Sequence, residues 1–198
     1  GMVKTTTNPF GFETEFEYDS WFRPLKITDH LGNEISYTYN KVNNRYTVTS
    51  FSDDGSGTIS VYDKLYRVVQ EKEKNIMGNW VTVDYEYDHL NRIKRQSEPH
   101  IGGSASQWNT TDYDKYGRPE QKTSYTGKTV NFTYNGLETT IDDGTKQEII
   151  TKDALGNILE KTDPGGTIQY TYFGNGNLKQ ANYGSNSLII EQDGWGRK

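Results

Sequence analysis

The stretch Tyr113-Asp114-Lys115-Tyr116-Gly117-Arg118-Pro119 contains a skeleton that recurs along the chain. In each copy a Tyr-Asp pair is followed by an arginine, and three residues separate the aspartate from the arginine. Four of the seven arginines stand at this offset, which composition alone does not explain. Recurrence in register indicates a protein built from short repeats. The full copies are Tyr18, Asp19 and Arg23; Tyr62, Asp63 and Arg67; Tyr87, Asp88 and Arg92; and Tyr113, Asp114, Gly117 and Arg118.

Shortened copies of the skeleton extend the series. An aspartate suits the start of a turn because its carboxylate accepts hydrogen bonds from backbone N–H groups further along. Glycine near the end of the turn tolerates positive φ. Two such turns and two strands use about 20 residues, so each repeat is predicted to be a β-hairpin. The shortened copies are Asp29 to Asn33; Asp153, Gly156 and Asn157; Tyr172 to Asn177 with Gly176; and Asp193, Gly196 and Arg197.

Between the turns, apolar and polar residues alternate with the period of a half-buried strand. Phe12, Thr14, Phe16 and Tyr18 share one face, with glutamates between them. The sequence therefore predicts an all-β fold: tandem β-hairpins forming a twisted or curved antiparallel sheet. A lone hairpin is barely stable, so neighbouring hairpins must pair. We expect each motif tyrosine to pack on the next hairpin, and each motif arginine to lie over that ring or pair with an aspartate.

The predicted organisation is one repeat segment. Residues 1–10 are interpreted as a lead-in, with Gly1 before Met2 as an expression scar and the remainder flexible. Residues 11–198 form the hairpin segment, with an irregular surface loop near 97–107 that is rich in Pro, Gly and Ser. The chain stops inside a copy of the motif, so we expect the natural protein to continue.

Composition narrows the class of protein. Hydrophobic residues make up 31 % and the mean hydropathy is −0.93, which is poor material for a deep core. The 15 Tyr, 7 Phe and 4 Trp supply apolar area that disordered chains lack. A net charge of −5 with interleaved signs gives no basic patch for nucleic acid. No run approaches the ~20 apolar residues of a membrane span.

The sequence offers no constellation typical of an enzyme, a metal site or a cofactor site. His30 and His89 occupy the same slot after a turn aspartate and are interpreted as turn residues. No cysteine and no Gly-x-Ser-x-Gly nucleophile motif is present. The Asp-Asp-Gly stretches at 53–55 and 142–144 lack the alternating ligands of a calcium loop and are predicted to be turns.

Binding of carbohydrate is the alternative to a structural role. Tryptophans stack on sugar rings when they are exposed in a row, but so polar a chain needs its aromatic residues for packing, and the sequence favours packing between hairpins. The candidates are Trp21, Trp80, Trp108 and Trp195.

The Tyr-Asp-x-x-Gly-Arg skeleton at about 20-residue spacing resembles the YD repeats of the Rhs (rearrangement hotspot) family. The likeness covers residues 12–198 and includes the stretch from Asp153 to Gly166. It departs from the pattern at Phe22, Tyr66 and Asn91, where glycine is usual, so distorted turns are expected there. The family's self-cleaving region and its variable toxin domain have no counterpart in these residues.

The resemblance implies a function as well as a fold. In that family the hairpin strip winds into a hollow spiral shell that can enclose a toxin. We therefore expect a scaffold segment of a larger secreted or surface protein of a bacterium, carrying an effector domain of the same protein. Its partners would be neighbouring repeats, that effector domain and surface glycans. Weak self-association is expected through open strand edges.

Overall fold

The computed structural model describes residues 2–197, and within that range they form nineteen strands and no helix. Two compact units divide the chain, Gly1–Asn109 and Thr110–Lys198. The all-β hairpin fold predicted from the period-two pattern is confirmed. No helix long and apolar enough to cross a membrane occurs in the described range.

In the first unit each strand from β1 to β8 pairs antiparallel with the strand that follows it along the chain. The last strand, β10, returns to pair with β8. Its strands are β1 (Thr5–Thr7), β2 (Glu13–Tyr18), β3 (Pro24–Thr28), β4 (Glu34–Val42), β5 (Arg45–Ser52), β6 (Gly57–Tyr62), β7 (Val68–Lys74), β8 (Trp80–Tyr87), β9 (Ile93–Ser97) and β10 (His100–Ile101).

The second unit is the same kind of meander, and the division between the units falls inside its first strand. Consecutive strands again pair antiparallel. They are β11 (Trp108–Tyr113), β12 (Pro119–Thr123), β13 (Thr129–Asn135), β14 (Glu138–Asp142), β15 (Gln147–Lys152), β16 (Ile158–Asp163), β17 (Gly166–Tyr172), β18 (Leu178–Tyr183) and β19 (Asn186–Ile189).

Turns of a meander alternate between the two edges at which its strands end. The Tyr-Asp turns of the first unit follow β2, β6 and β8, so they share one edge, which we call the motif edge. In the second unit the turns after β11, β15 and β17 likewise share an edge. The turn from Asp29 to Asn33 follows β3 and therefore lies at the opposite edge. The sequence pattern groups this copy with the other motif turns, whereas the order of the strands places it at a different edge from them.

A β-bulge recurs immediately before the motif turns. An extra residue in one strand bends that strand, increases its twist and re-aims a side chain. In each unit the bulge recurs at the edge that carries the motif turns, so we expect the same local bend at each of these turns. The register shifts fall at Glu17/Tyr18, Val61/Tyr62, Glu86/Tyr87, Asp112/Tyr113, Thr151/Lys152 and Thr171/Tyr172.

The described residues contain no buried hydrophobic side chain. Apolar side chains are instead half-buried on one face of a strand, as in β2, where exposed glutamates alternate with Thr14, Phe16 and Tyr18. The expectation of a thin structure without a deep core is therefore confirmed. Pairing of strands and contacts between half-buried side chains must supply the stability that a core normally supplies.

Several elements differ from the sequence prediction. The lead-in contains β1, whose residues Thr5–Thr7 pair with Glu13–Glu15 of β2. The loop near 97–107 contains β10. The strand Glu138–Asp142 has three consecutive polar residues at its start and shows little of the period-two pattern, so alternation does not predict it. The Asp-Asp-Gly stretches are turns, as predicted, with Asp54 and Asp143 bonded to local backbone N–H groups.

The turns that lack glycine are not distorted. Phe22, Tyr66 and Asn91 adopt φ of 64°, 60° and 64°, in the left-handed region that Gly117 occupies at 84°. The N–H of Phe22 donates to the Asp19 carbonyl at 3.0 Å, as Gly117 donates to Asp114 at 3.0 Å. The expectation of distorted turns is therefore wrong. The turn keeps its backbone geometry, and the cost is steric strain because the Cβ atom of each residue lies close to the following carbonyl oxygen.

Alanine substitution at two glycines separates backbone strain from packing. Gly156 has φ of 90° whereas Gly174 does not lie in the left-handed region, and a Cβ at either position meets no atom within 4 Å. We expect Gly156→Ala to lower the free energy of unfolding by about 1 kcal/mol. The matched control Gly174→Ala should be neutral or stabilising by up to ~1 kcal/mol. Urea denaturation followed by circular dichroism measures both, and equal effects would contradict the turn geometry.

Candidate functional site

Each motif turn is organised around the carboxylate of its aspartate. In the turn after β11, Asp114 Oδ1 accepts the N–H groups of Tyr116 and Arg118 at 2.8 and 2.9 Å. Its Oδ2 accepts Arg118 Nε at 2.8 Å and pairs with Nη2 at 2.7 Å. The backbone closes the same loop, because Asp114 N donates to the Arg118 carbonyl at 2.9 Å. One side chain therefore fixes both the turn and the position of a guanidinium.

The arrangement is repeated almost unchanged. Oδ1 accepts the N–H groups of the second and fourth residues after the aspartate at 2.8–3.1 Å. The arginine Nε reaches Oδ2 at 2.6–2.8 Å. The structure thus brings together the predicted motif residues of the turns at Asp19–Arg23, Asp63–Arg67, Asp88–Arg92, Asp153–Asn157 and Asp193–Arg197. Gly176 closes the related turn at Phe173–Asn177.

Each of three arginines also stacks on a tyrosine from a later strand. Arg23 lies over Tyr39 at 4.2 Å. Arg118 lies over Tyr134 at 4.0 Å, the distances being from Cζ to the ring centroid. Arg67 lies over Tyr87 at 4.6 Å. The expected pairing of each arginine with an aspartate is therefore confirmed. The ring under each arginine comes from a later strand and is not the expected tyrosine of its own motif copy. We call each aspartate, its arginine and this tyrosine an Asp–Arg–Tyr cluster.

The tyrosine hydroxyl completes each cluster by bonding to the backbone just after the arginine. Tyr39 and Tyr134 donate to the carbonyls of Pro24 and Pro119, each at 2.8 Å. Tyr87 donates to Val68 at 2.7 Å. The acceptor belongs to the preceding hairpin. Tyr87, the motif tyrosine among these three, therefore packs onto the hairpin before it and not, as expected, onto the next one. The cluster joins a hairpin to the one before it.

Sequence reasoning missed two of these tyrosines. Tyr39 and Tyr134 are followed by asparagine, not aspartate, and so fall outside the Tyr-Asp pattern. A Tyr-Asn pair 16 residues after a motif arginine is the signal that could have found both, since Arg23 to Tyr39 and Arg118 to Tyr134 have this spacing. Tyr172 uses the same bond without an arginine, donating to Ile158 at 2.7 Å.

The clusters of the first unit are linked along the motif edge. Arg23 Nη1 donates to the Tyr46 hydroxyl at 2.9 Å, and the Tyr46 ring lies 6.1 Å from that of Tyr62. Arg67 Nη1 donates to Asn91 in the next motif turn at 2.7 Å. Each turn is therefore held by its own aspartate and also touches its neighbour.

Burial shifts the pKa values of the motif aspartates and cluster tyrosines in one direction, and neighbouring donors and charges shift them in the other. Burial favours the neutral form of Asp114, but the N–H and guanidinium of Arg118 and the N–H of Tyr116 outweigh it and lower the pKa of that carboxyl. In the Asp153 turn, the Asn157 side chain is the main cause of the lowered pKa. Burial raises the pKa of the Tyr134 hydroxyl, against the charge of Arg118. The aspartates are thus fixed as anions and the tyrosines as neutral donors near neutral pH.

The three tryptophans of the first unit have different surroundings. Trp21 is 74 % exposed in a motif turn, while Trp80 begins β8 at the opposite edge and packs edge-on against Phe51 at 5.8 Å. Trp108 lies under Arg95 at 4.4 Å. Trp195, 87 % exposed, belongs to the second unit. The three tryptophans of the first unit do not form a row, and stacking on carbohydrate stays a prediction.

The described part of the chain also holds no group of three or more His, Cys, Asp and Glu placed to bind a metal ion. His30 stacks on Phe12 at 4.2 Å between ring centroids. The motif aspartates and arginines pair their charges within each turn, and the cluster tyrosines donate hydrogen bonds to the adjacent hairpin.

Removal of one hydroxyl tests the cluster. We expect Tyr134→Phe to lower the free energy of unfolding by about 1 kcal/mol, because the Pro119 carbonyl loses its donor while the ring still lies against Arg118. Tyr116→Phe is the matched control, since Tyr116 also lies near Arg118 but is 71 % exposed. Chemical denaturation compares the two variants, and an equal loss from both would contradict the role of the hydroxyl.

No protein-family model matches the chain, and no curated protein matches it. Among solved structures, a crystal structure of TcdB2-TccC3 aligns with 92 % of this chain at a TM-score of 0.60 and 13 % identity. A structure of the Photorhabdus luminescens Tc holotoxin pore aligns with 94 % of it at a TM-score of 0.36 and 12 % identity, too low to carry weight. The chain spans about 15 % of the length of either matched chain. It shares its fold with a Tc toxin component, which confirms the Rhs-type hairpin-repeat fold that the YD motif predicted.

Proposed function

We propose that the chain is a wall segment of a shell in a larger toxin-type protein, and that the shell carries an effector domain of the same protein. The observation that carries the proposal is the repeated Asp–Arg–Tyr cluster, which joins hairpin to hairpin in a sheet without buried hydrophobic side chains. Such a construction extends a sheet and leaves both of its faces accessible. The shared fold with TcdB2-TccC3 supports the proposal.

The two faces of the second unit differ in chemistry, as a wall between two environments requires. Cross-strand partners lie on the same face. One row runs Tyr134, Thr139, Ile150, Lys161, Ile168 and Tyr183. The row beside it on the other face is mostly threonine, namely Thr133, Thr140, Ile149, Thr162 and Thr167.

We assign no catalytic role to the motif residues. The charged groups of the motif are already paired within the turn, as Arg92 with Asp88 at 2.7 Å and Arg67 with Asp63 at 2.6 Å. Groups held in this way are not available to transfer protons. The parent protein would act outside the bacterial cell, as the shell role implies.

Imaging of the longer protein that contains this segment tests the shell. Electron cryomicroscopy should place the hairpins in the wall of a hollow particle. An effector enclosed there should resist added protease, whereas the same domain expressed alone should be digested. A particle without a cavity, or an effector cleaved as fast as the free domain, would reject the proposal.

Glycan binding is a second candidate, favoured by the exposure of Trp21 and Trp195. A glycan-array screen of the chain should then give saturable binding that Trp21→Ala or Trp195→Ala abolishes. Trp80→Phe, at a side chain engaged with Phe51, is the control and should leave binding in place. Absence of binding across the array would remove this candidate and leave the shell proposal untouched.

A further inference from the structure

Residues 98–107, which we call the strap, fold back onto the edge of β8. Two residues of the strap form β10, with His100 opposite Thr82 and Ile101 opposite Val81. The N–H of Glu98 donates to the Gln107 carbonyl at 3.0 Å and closes the base of the strap. In this part of β8 the strap takes the place of β9, which is paired with β8 only from Tyr85 to Tyr87.

The imidazole of His100 lies between two hydrogen-bond acceptors. Nε2 is 2.9 Å from Asp84 Oδ2, and Nδ1 is 3.1 Å from the Gly102 carbonyl oxygen. A neutral imidazole has one N–H and one lone pair, whereas the imidazolium has two N–H groups. Both contacts are hydrogen bonds only when the ring is protonated. The neutral ring directs a lone pair at one of the two oxygens.

We infer that His100 is a pH-dependent clamp: as an imidazolium it ties the strap to β8, and as a neutral ring it releases the strap. Release uncovers the backbone of β8 at Val81 and Thr82. An uncovered strand edge presents unpaired N–H and C=O groups, which are a template for another strand. The clamp thereby sets whether the β10 pairing covers the backbone of Val81 and Thr82.

The acceptor side of the clamp is held rigidly. Asp84 Oδ1 accepts the amide of Gln70 at 2.7 Å, which orients the carboxylate toward the imidazole. The Asp84 N–H donates to Ser97 Oγ at 2.8 Å, and Ser97 is only 2 % exposed. On the strap, the Glu98 carboxylate accepts a hydrogen bond from the side-chain amide of Asn109 at 2.6 Å. Asp84 is therefore the anion that His100 meets.

The surrounding charges set the direction of the pH dependence. The hydrogen bond to Asp84, followed by that to Gly102, raises the pKa of His100 above its ordinary 6.5, against partial burial and the charge of Lys72 on β7. A group with a raised pKa in the closed form contributes its stabilisation fully below about pH 6.5. That contribution is lost as pH rises through the pKa of the closed form.

Hydrogen exchange of the whole chain between pH 5.5 and 8.5 tests the clamp. With rates corrected for intrinsic chemistry, protection of residues 98–107 and 80–84 should fall with rising pH and then level off. The total fall should be about tenfold for each unit by which the clamp raises the pKa of His100. His100→Gln should remove the pH dependence, whereas His89→Gln, in an exposed turn, should keep it.

Two further results separate the clamp from a general effect of pH. Asp84→Asn should move the midpoint of the exchange transition to lower pH, because the anion that favours the imidazolium is gone. In the wild-type chain, NMR titration should give His100 a pKa above 6.5. Protection that does not vary with pH, a pH dependence retained in His100→Gln, or a His100 pKa at or below 6.5 would each overturn the inference.

Discussion

The structure depends on one carboxylate in each aspartate-containing turn and on the different partners of its two oxygens. In the turn of Asp63, Oδ1 accepts two backbone N–H groups and so fixes the loop, while Oδ2 holds Arg67. Turn geometry and guanidinium position are therefore set by the same atom group. Because the arginine then lies over Tyr87, a constraint spanning five residues determines a contact 20 residues further along.

This arrangement replaces a hydrophobic core. With no buried hydrophobic side chain among residues 2–197, the usual stabilisation from complete burial is missing. An aromatic ring that is half-buried still covers apolar area, and its hydroxyl satisfies a backbone carbonyl near the sheet edge. Phenylalanine could supply only the first of these. Tyrosine thus supplies both contacts at once, as Tyr39, Tyr87 and Tyr134 do.

Much of the fold follows from the sequence because its signals are local. Period-two alternation predicts β2, and the spacing of Asp114, Gly117 and Arg118 predicts a turn that uses both the carboxylate and positive φ. The partners of the arginines could not be predicted in the same way. Tyr39 comes from a strand that begins at the opposite edge, so its approach to Arg23 depends on strand order and register. Likewise, the clamp between His100 and Asp84 requires knowledge that the strap returns to β8.

Comparison of the copies shows which contact of the Asp–Arg–Tyr cluster is kept when the arginine is replaced. Asn157 replaces arginine and still reaches Asp153 Oδ2 at 2.9 Å, so the turn survives without a guanidinium. No arginine is present to stack on the later tyrosine, yet the Tyr172 hydroxyl still donates to the Ile158 carbonyl. Ile158 directly follows the turn, as Pro119 does in the cluster of Asp114, Arg118 and Tyr134. The bond from a tyrosine hydroxyl to a backbone carbonyl is therefore shared by the three Asp–Arg–Tyr clusters and the Asp153 copy, and in the three clusters an arginine also lies over the ring. Since each cluster links only adjacent hairpins, one copy of the motif can lose residues of the pattern while the rest of the sheet is kept. That tolerance accounts for the uneven motif, in which full and shortened copies stand side by side.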